Sequence, residues 1–140
     1  MPIQIAQELA NYYSKKYRIL HLKSPEQPVL ENVEPLTLPH RELYAVFPLS
    51  KKRLFIDSIA QHVAAGLGLE STVVWIGNKP EIFGYDKHLN IKPNIDIVRD
   101  FNKFNYLDKY DISGQVQEFP YDTVNMVDIN EIVSAVDRQK

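Results

Sequence analysis

Four prolines, Pro25, Pro28, Pro35 and Pro39, fall within "KSPEQPVLENVEPLTLPHRE" (23–42) and constrain this chain more than any other feature. Proline has no backbone N–H and locks φ, so a run of this density forbids a helix and disfavours a central strand. The segment at about 23–41 therefore reads as a Pro-rich extended surface loop. Loops of that length inside a domain are commonly functional or flexible. The core must come from the sequence on either side.

Before the loop, Ile3, Ile5, Leu9 and Tyr12 or Tyr13 recur at helical spacing, which predicts a helix over about 2–15 with Pro2 suited to its first turn. "YRILHL" (17–22) reads as a short strand. After the loop, "ELYAVF" (42–47) reads as a strand and "PLS" as a turn. Leu54, Phe55, Ile59, Val63 and Leu67 then predict an amphipathic helix over about 51–66, with Ser50 as N-cap and Gly66 and Gly68 closing it. The β-branched run "STVVWIG" (71–77) reads as a buried strand, and "EIFGYD" (81–86) as its hairpin partner. A helix at 94–110 and a strand near 115–119 follow. "DINEIVSAVDRQK" closes the chain as a helix, capped by Asp128 or Asn130, with Ile132, Val133 and Val136 inward. The expected architecture is α+β: a single mixed domain spanning 1–140, with one sheet of about four to five strands and helices packed against it.

Composition narrows the function classes. The chain has 140 residues, 44% apolar and 24% charged, which suffices for a core. Zero cysteines exclude disulfides, thiolate metal sites and a thiol nucleophile. The first residues lack the basic and apolar regions of a signal peptide, and no apolar run approaches the ~18 residues of a membrane span. A soluble cytoplasmic protein with no membrane association is expected. Charge is graded: residues 1–79 are net +2 and residues 80–140 net −4. A pI near 6.1 disfavours a general nucleic-acid coat but leaves room for a local phosphate site.

Ser50, Lys51, Lys52 and Arg53 pose the sharpest local question. If Ser50 caps a helix, three cations crowd the end that already carries partial positive charge. Such a junction suits an anion or an acidic partner, and these four residues are the candidate anion- or partner-binding site. The competing reading is a solvated charge run, tolerated at about 0.3–1 kcal/mol per charge. No G-x-x-x-x-G-K-[ST] pattern is present, which excludes a P-loop.

His21, His40, His62 and His88 show no H-x-x-x-H or H-x-H spacing, so no metal site and no cofactor is expected. His62 reads as a boundary histidine and His40 as a loop residue near Glu42. Asp96 and Asp100 share a face if 94–110 is helical, but lack the EF-hand pattern. Aromatics and carboxylates interleave in the second half. Tyr85, Asp108, Tyr110, Asp111, Tyr121 and Asp122 form the candidate acidic and aromatic interface, because tyrosine anchors interfaces and carboxylates steer basic partners.

"IAQHVAAGLGLESTVVWIG" (59–77) resembles the helix-turn-helix of bacterial repressors, with Ala64 and Gly68 at the expected spacing. Its second helix would present only Val73, Val74, Trp75 and Ile76, none of which reads a base edge or holds a phosphate. A strand fits that run better.

The leading expectation is a non-catalytic binding module that docks a partner protein through the acidic, aromatic surface. In composition it is similar to small acidic proteins that neutralise a toxin or chaperone an effector, an analogy without a motif. The alternatives are a phosphate-ligand-binding protein or enzyme using the basic helix start at 51–53, and DNA binding through 59–77.

Overall fold

The computed structural model describes residues 1–75, 79–93 and 127–140. Helix α1 (Ile3–Tyr13) starts behind Pro2, and Ile5, Leu9 and Tyr13 recur every fourth residue on its buried face. Strands β1 (Leu20–Leu22) and β2 (Glu34–Leu36) then pair in parallel, with Leu20 opposite Glu34 and Leu22 opposite Leu36. Pro35 lies inside β2, and in a two-stranded sheet its missing N–H can face away from the partner. The Arg18 guanidinium forks onto the Glu34 carboxylate at 2.7 and 2.8 Å and holds the pair together.

A second sheet has the order β3 (Leu54–Ile56), β4 (Thr72–Val74), β5 (Leu89–Ile91), all parallel. Helices α3 (Ile59–Gly66) and α4 (Pro80–Phe83) lie in the crossovers, as parallel neighbours require. All of β4 is buried, which explains why "TVV" reads as continuous rather than alternating.

The last helix, α5 (Ile129–Arg138), begins at Asp128, whose carboxylate accepts from Asn130 N at 2.8 Å. Its Ile132, Ala135 and Val136 meet Ile5 and Leu9 of α1 and Val74 and Ile91 of the sheet in one core. The Tyr13 hydroxyl donates to Val133 O (3.1 Å) and Asp137 Oδ1 (3.0 Å), and burial beside that carboxylate pushes its pKa well up.

Several expectations change. In place of one sheet of four to five strands, the described residues form two small parallel sheets of two and three strands. "ELYAVF" belongs to helix α2 (His40–Val46), not a strand. Pro39 precedes its first turn, Glu42 complements the helix dipole, and His40 stacks on Tyr44 one turn later. The segment at 23–41 therefore contains a strand and the start of a helix as well as loop.

No helix spans 51–66. A 3-10 turn (Phe47–Leu49) leads through Ser50 to β3, and the helix starts at Ile59, behind Ser58, whose backbone is extended. Leu54, Phe55 and Ile56 pair with β4 instead of joining the helix, and this removes the basis for an anion-binding helix N-terminus at 51–53. The residues at 81–86 form α4 and a turn rather than a hairpin strand, and β5 pairs in parallel further on. The helix-turn-helix reading of 59–77 fails where foreseen, because Thr72–Val74 is a strand. The segments read as 94–110 helix and 115–119 strand lie outside the described residues.

Candidate functional site

The basic run is engaged with backbone oxygens. Arg53 is 7% exposed. Its guanidinium donates to Ser50 O (2.6 Å) and Phe47 O (3.2 Å) at the end of the 3-10 turn, and to Glu70 O (2.7 Å) before β4. Burial pushes its pKa down, with the Glu70 charge opposing, yet a guanidinium remains cationic at any working pH. Lys52 Nζ donates to Asp137 O (3.2 Å) and to Gln139 O, the last carbonyls of α5. Both cations therefore meet carbonyl ends, the partially negative pole that favours them.

Gln139 completes the arrangement. Its amide accepts from Arg53 N (2.9 Å) and donates to Arg53 O and Thr72 Oγ1, both at 2.8 Å, as a strand backbone would. Ser50 Oγ donates to Phe47 O, and Lys51 is exposed.

A different cluster holds unused hydrogen-bonding capacity. Helix α3 buries Gln61 and Ala64, leaving Ile59 at 63% and Leu67 at 48% exposure. Two members of the apolar stripe predicted to face inward, Ile59 and Leu67, thus face outward, while Leu54, Phe55 and Val63 are half-buried. Gln61 fixes this rotation, since its Nε2 donates to Phe83 O (3.1 Å) and its backbone carbonyl lies 3.0 Å from His88 Nε2. A carbonyl only accepts, so the His88 proton sits on Nε2 and Nδ1 carries a lone pair. Burial pushes the His88 pKa down; the hydrogen bond to Gln61 and the Glu70 charge oppose it, and His62 and Lys87 add to it.

Tyr85 stands over this floor. Its ring meets His62 and His88 edge-on at 5.6 and 5.7 Å, and its hydroxyl shares a 3.0 Å hydrogen bond with His62 Nδ1. Asn90 Nδ2 donates to Tyr85 O and His88 O, while Asn90 Oδ1 accepts from the indole of buried Trp75. Beside Tyr85, Ile82 and Phe83 of α4 are 68% and 37% exposed. Of the four buried side-chain polar atoms without a partner among the described residues, three gather here: Gln61 Oε1, Ser71 Oγ and His88 Nδ1. Ser71 is adjacent because its carbonyl accepts from Leu89 N at 2.9 Å.

Of the candidate interface residues, Tyr85 is described and exposed; Asp108, Tyr110, Asp111, Tyr121 and Asp122 lie outside the described residues. Sequence reasoning missed Gln61 and His88. The available signal was Ala64 with its small neighbours Ala60 and Ala65, a face that lets a helix approach a sheet closely.

Among the described residues, no three His, Cys, Asp or Glu side chains converge as metal ligands, and no helix is long and apolar enough to cross a membrane. An open groove of about 430 Å³ lies between α1 and Val29–Leu30, lined by neither the basic run nor the histidines. No protein-family profile, curated protein or solved structure matches this chain.

Proposed function

We propose that the protein is a binding module that docks a partner protein, with the α3–α4 face as the part of the docking surface on the described residues. The observation that carries this reading is the pair of exposed apolar side chains at the two ends of α3, Ile59 and Leu67, beside an exposed aromatic rim. Ile59, Ile82, Phe83 and Tyr85 are open to solvent, on segments tied by hydrogen bonds from Gln61, His88 and Asn90. An aromatic anchor on a rigid floor loses little entropy on binding and fits the chemistry of an interface hot spot. The Tyr/Asp-rich acidic surface expected from sequence belongs to the same proposal: Asp108, Asp111 and Asp122 would attract a basic partner.

The test is native mass spectrometry of tagged protein purified gently, at low salt, from the cells that make it. A stoichiometric protein companion is expected with the wild-type chain and is lost in Ile82→Asp and Tyr85→Ala, both with unchanged circular dichroism. A companion retained at full occupancy by both variants places docking elsewhere, and no companion at any salt concentration overturns the reading.

A further inference from the structure

Docking through the α3–α4 face depends on the turn that carries Tyr85, and the buried tie between that turn and α3 is one imidazole, beside the more exposed Gln61–Phe83 and His62–Tyr85 hydrogen bonds. His88 is 4% exposed, its Nε2–H is committed to Gln61 O, and among the described residues no acceptor lies within hydrogen-bonding reach of Nδ1. The ring is therefore accommodated only while neutral. A proton on Nδ1 would place a second donor and a full charge where neither is satisfied, and relief requires the ring to reach water.

We propose that the docking face is acid-labile: gain of a proton at His88 Nδ1 releases the Tyr85–His88 turn from α3 and takes the Tyr85 rim apart. This regulation rests on the docking reading of that face.

Among the described residues, the charged and titratable groups facing His88 come from three places. Glu70, from the α3–β4 connection, favours the proton; His62, from α3, and Lys87, from the turn itself, oppose it; the Tyr85 ring edge supplies no charge. The sign follows from linkage. The folded form holds this proton less tightly than the unfolded chain does, so the stabilisation is complete above the ordinary imidazole value of 6.5. It is lost as pH falls through that value toward the lowered one of the folded state.

Trp75 supplies an internal reporter, because its indole is tied through Asn90 to the backbone of Tyr85 and His88. The experiment uses the full chain alone, followed by tryptophan emission and by hydrogen exchange corrected for intrinsic rate, from pH 7.5 to 5. Exchange of peptide 83–91 is expected to rise at least tenfold more than that of α1, with a red shift of the Trp75 emission. His88→Gln, which keeps a donor for Gln61 O and does not titrate, abolishes the difference. If that variant does not fold, Glu70→Gln serves instead and moves the opening to lower pH. Parallel exchange of 83–91 and α1 in the wild type overturns the proposal, as does an unshifted opening in both variants.

The two readings fail separately. Acid opening without any companion sensitive to Ile82→Asp leaves the latch standing and removes docking. A companion that needs Tyr85 but binds equally at pH 7.5 and 5 leaves docking standing and removes the acid control.

Discussion

Two regions of this molecule reverse the expectations attached to them. Residues 50–53 carry the charge that looks functional in sequence, yet Arg53 and Lys52 spend their donors on five backbone carbonyls. The corner of Gln61, His62, Tyr85 and His88 carries no motif, yet it holds buried atoms without partners among the described residues and an exposed aromatic rim. Charge in a sequence is a supply of donors, and the fold decides whether they serve the protein's own backbone or something outside it. Here the supply is drawn inward by backbone carbonyls at and beside the ends of helices, turns and strands.

The sharpest way to break this contrast is Arg53→Ala. Removing the guanidinium leaves the carbonyls of Phe47, Ser50 and Glu70 without their buried donor, and urea unfolding should show a loss of about 3 kcal/mol. A variant as stable as wild type would show that Arg53 is free for a ligand. Gln139→Ala should cost about 2 kcal/mol in the same assay, since it leaves buried Arg53 N without its acceptor and takes a donor from Arg53 O and Thr72 Oγ1 just before β3. Gln139→Glu keeps the acceptor but removes the donor and tests whether the two-point pairing is needed.

Lys52→Met should cost about 0.5–1 kcal/mol, the scale of a cation at a helix C-terminus, and more of the loss should appear at low salt. At the other corner, Ile82→Asp and Tyr85→Phe should change stability by less than about 0.5 kcal/mol, as surface substitutions do, while Ile82→Asp abolishes partner binding. A large stability loss in Ile82→Asp would make α4 part of the core and erase the contrast. Lys51→Ala is expected to have the smallest effect on stability, also below about 0.5 kcal/mol.

The parts of the fold legible in sequence are those whose signal is local. Ile5, Leu9 and Tyr13 repeat at helical spacing, Asp128 caps a strongly periodic run, and the Thr72–Val74 run is β-branched or small. All three elements appear where their sequence puts them. The region 42–58 misled because its choice is settled at a distance. Leu54, Phe55 and Ile56 fit the apolar phase of the following helix, but a parallel partner at 72–74 claims them, and no helical template registers that partner. Once β3 takes those residues the helix begins at Ile59 and can rotate, which exposes Ile59 and buries Gln61. The candidate site was illegible for the same reason: Gln61 and His88 are 27 positions apart and meet only through the crossover between β4 and β5.

The Tyr13 hydroxyl reaches Val133 and Asp137, 120 and 124 positions along the chain, and the core joins the same two helices. This has a consequence during synthesis. Ile5, Leu9 and Tyr13 leave the ribosome early, but the helix that covers them follows only after about 6–24 s at ~5–20 residues per second. Throughout that interval the apolar face of the first helix is available to any chaperone that binds nascent chains. Once residues 129–138 emerge, the two helices can close on each other and that face is withdrawn.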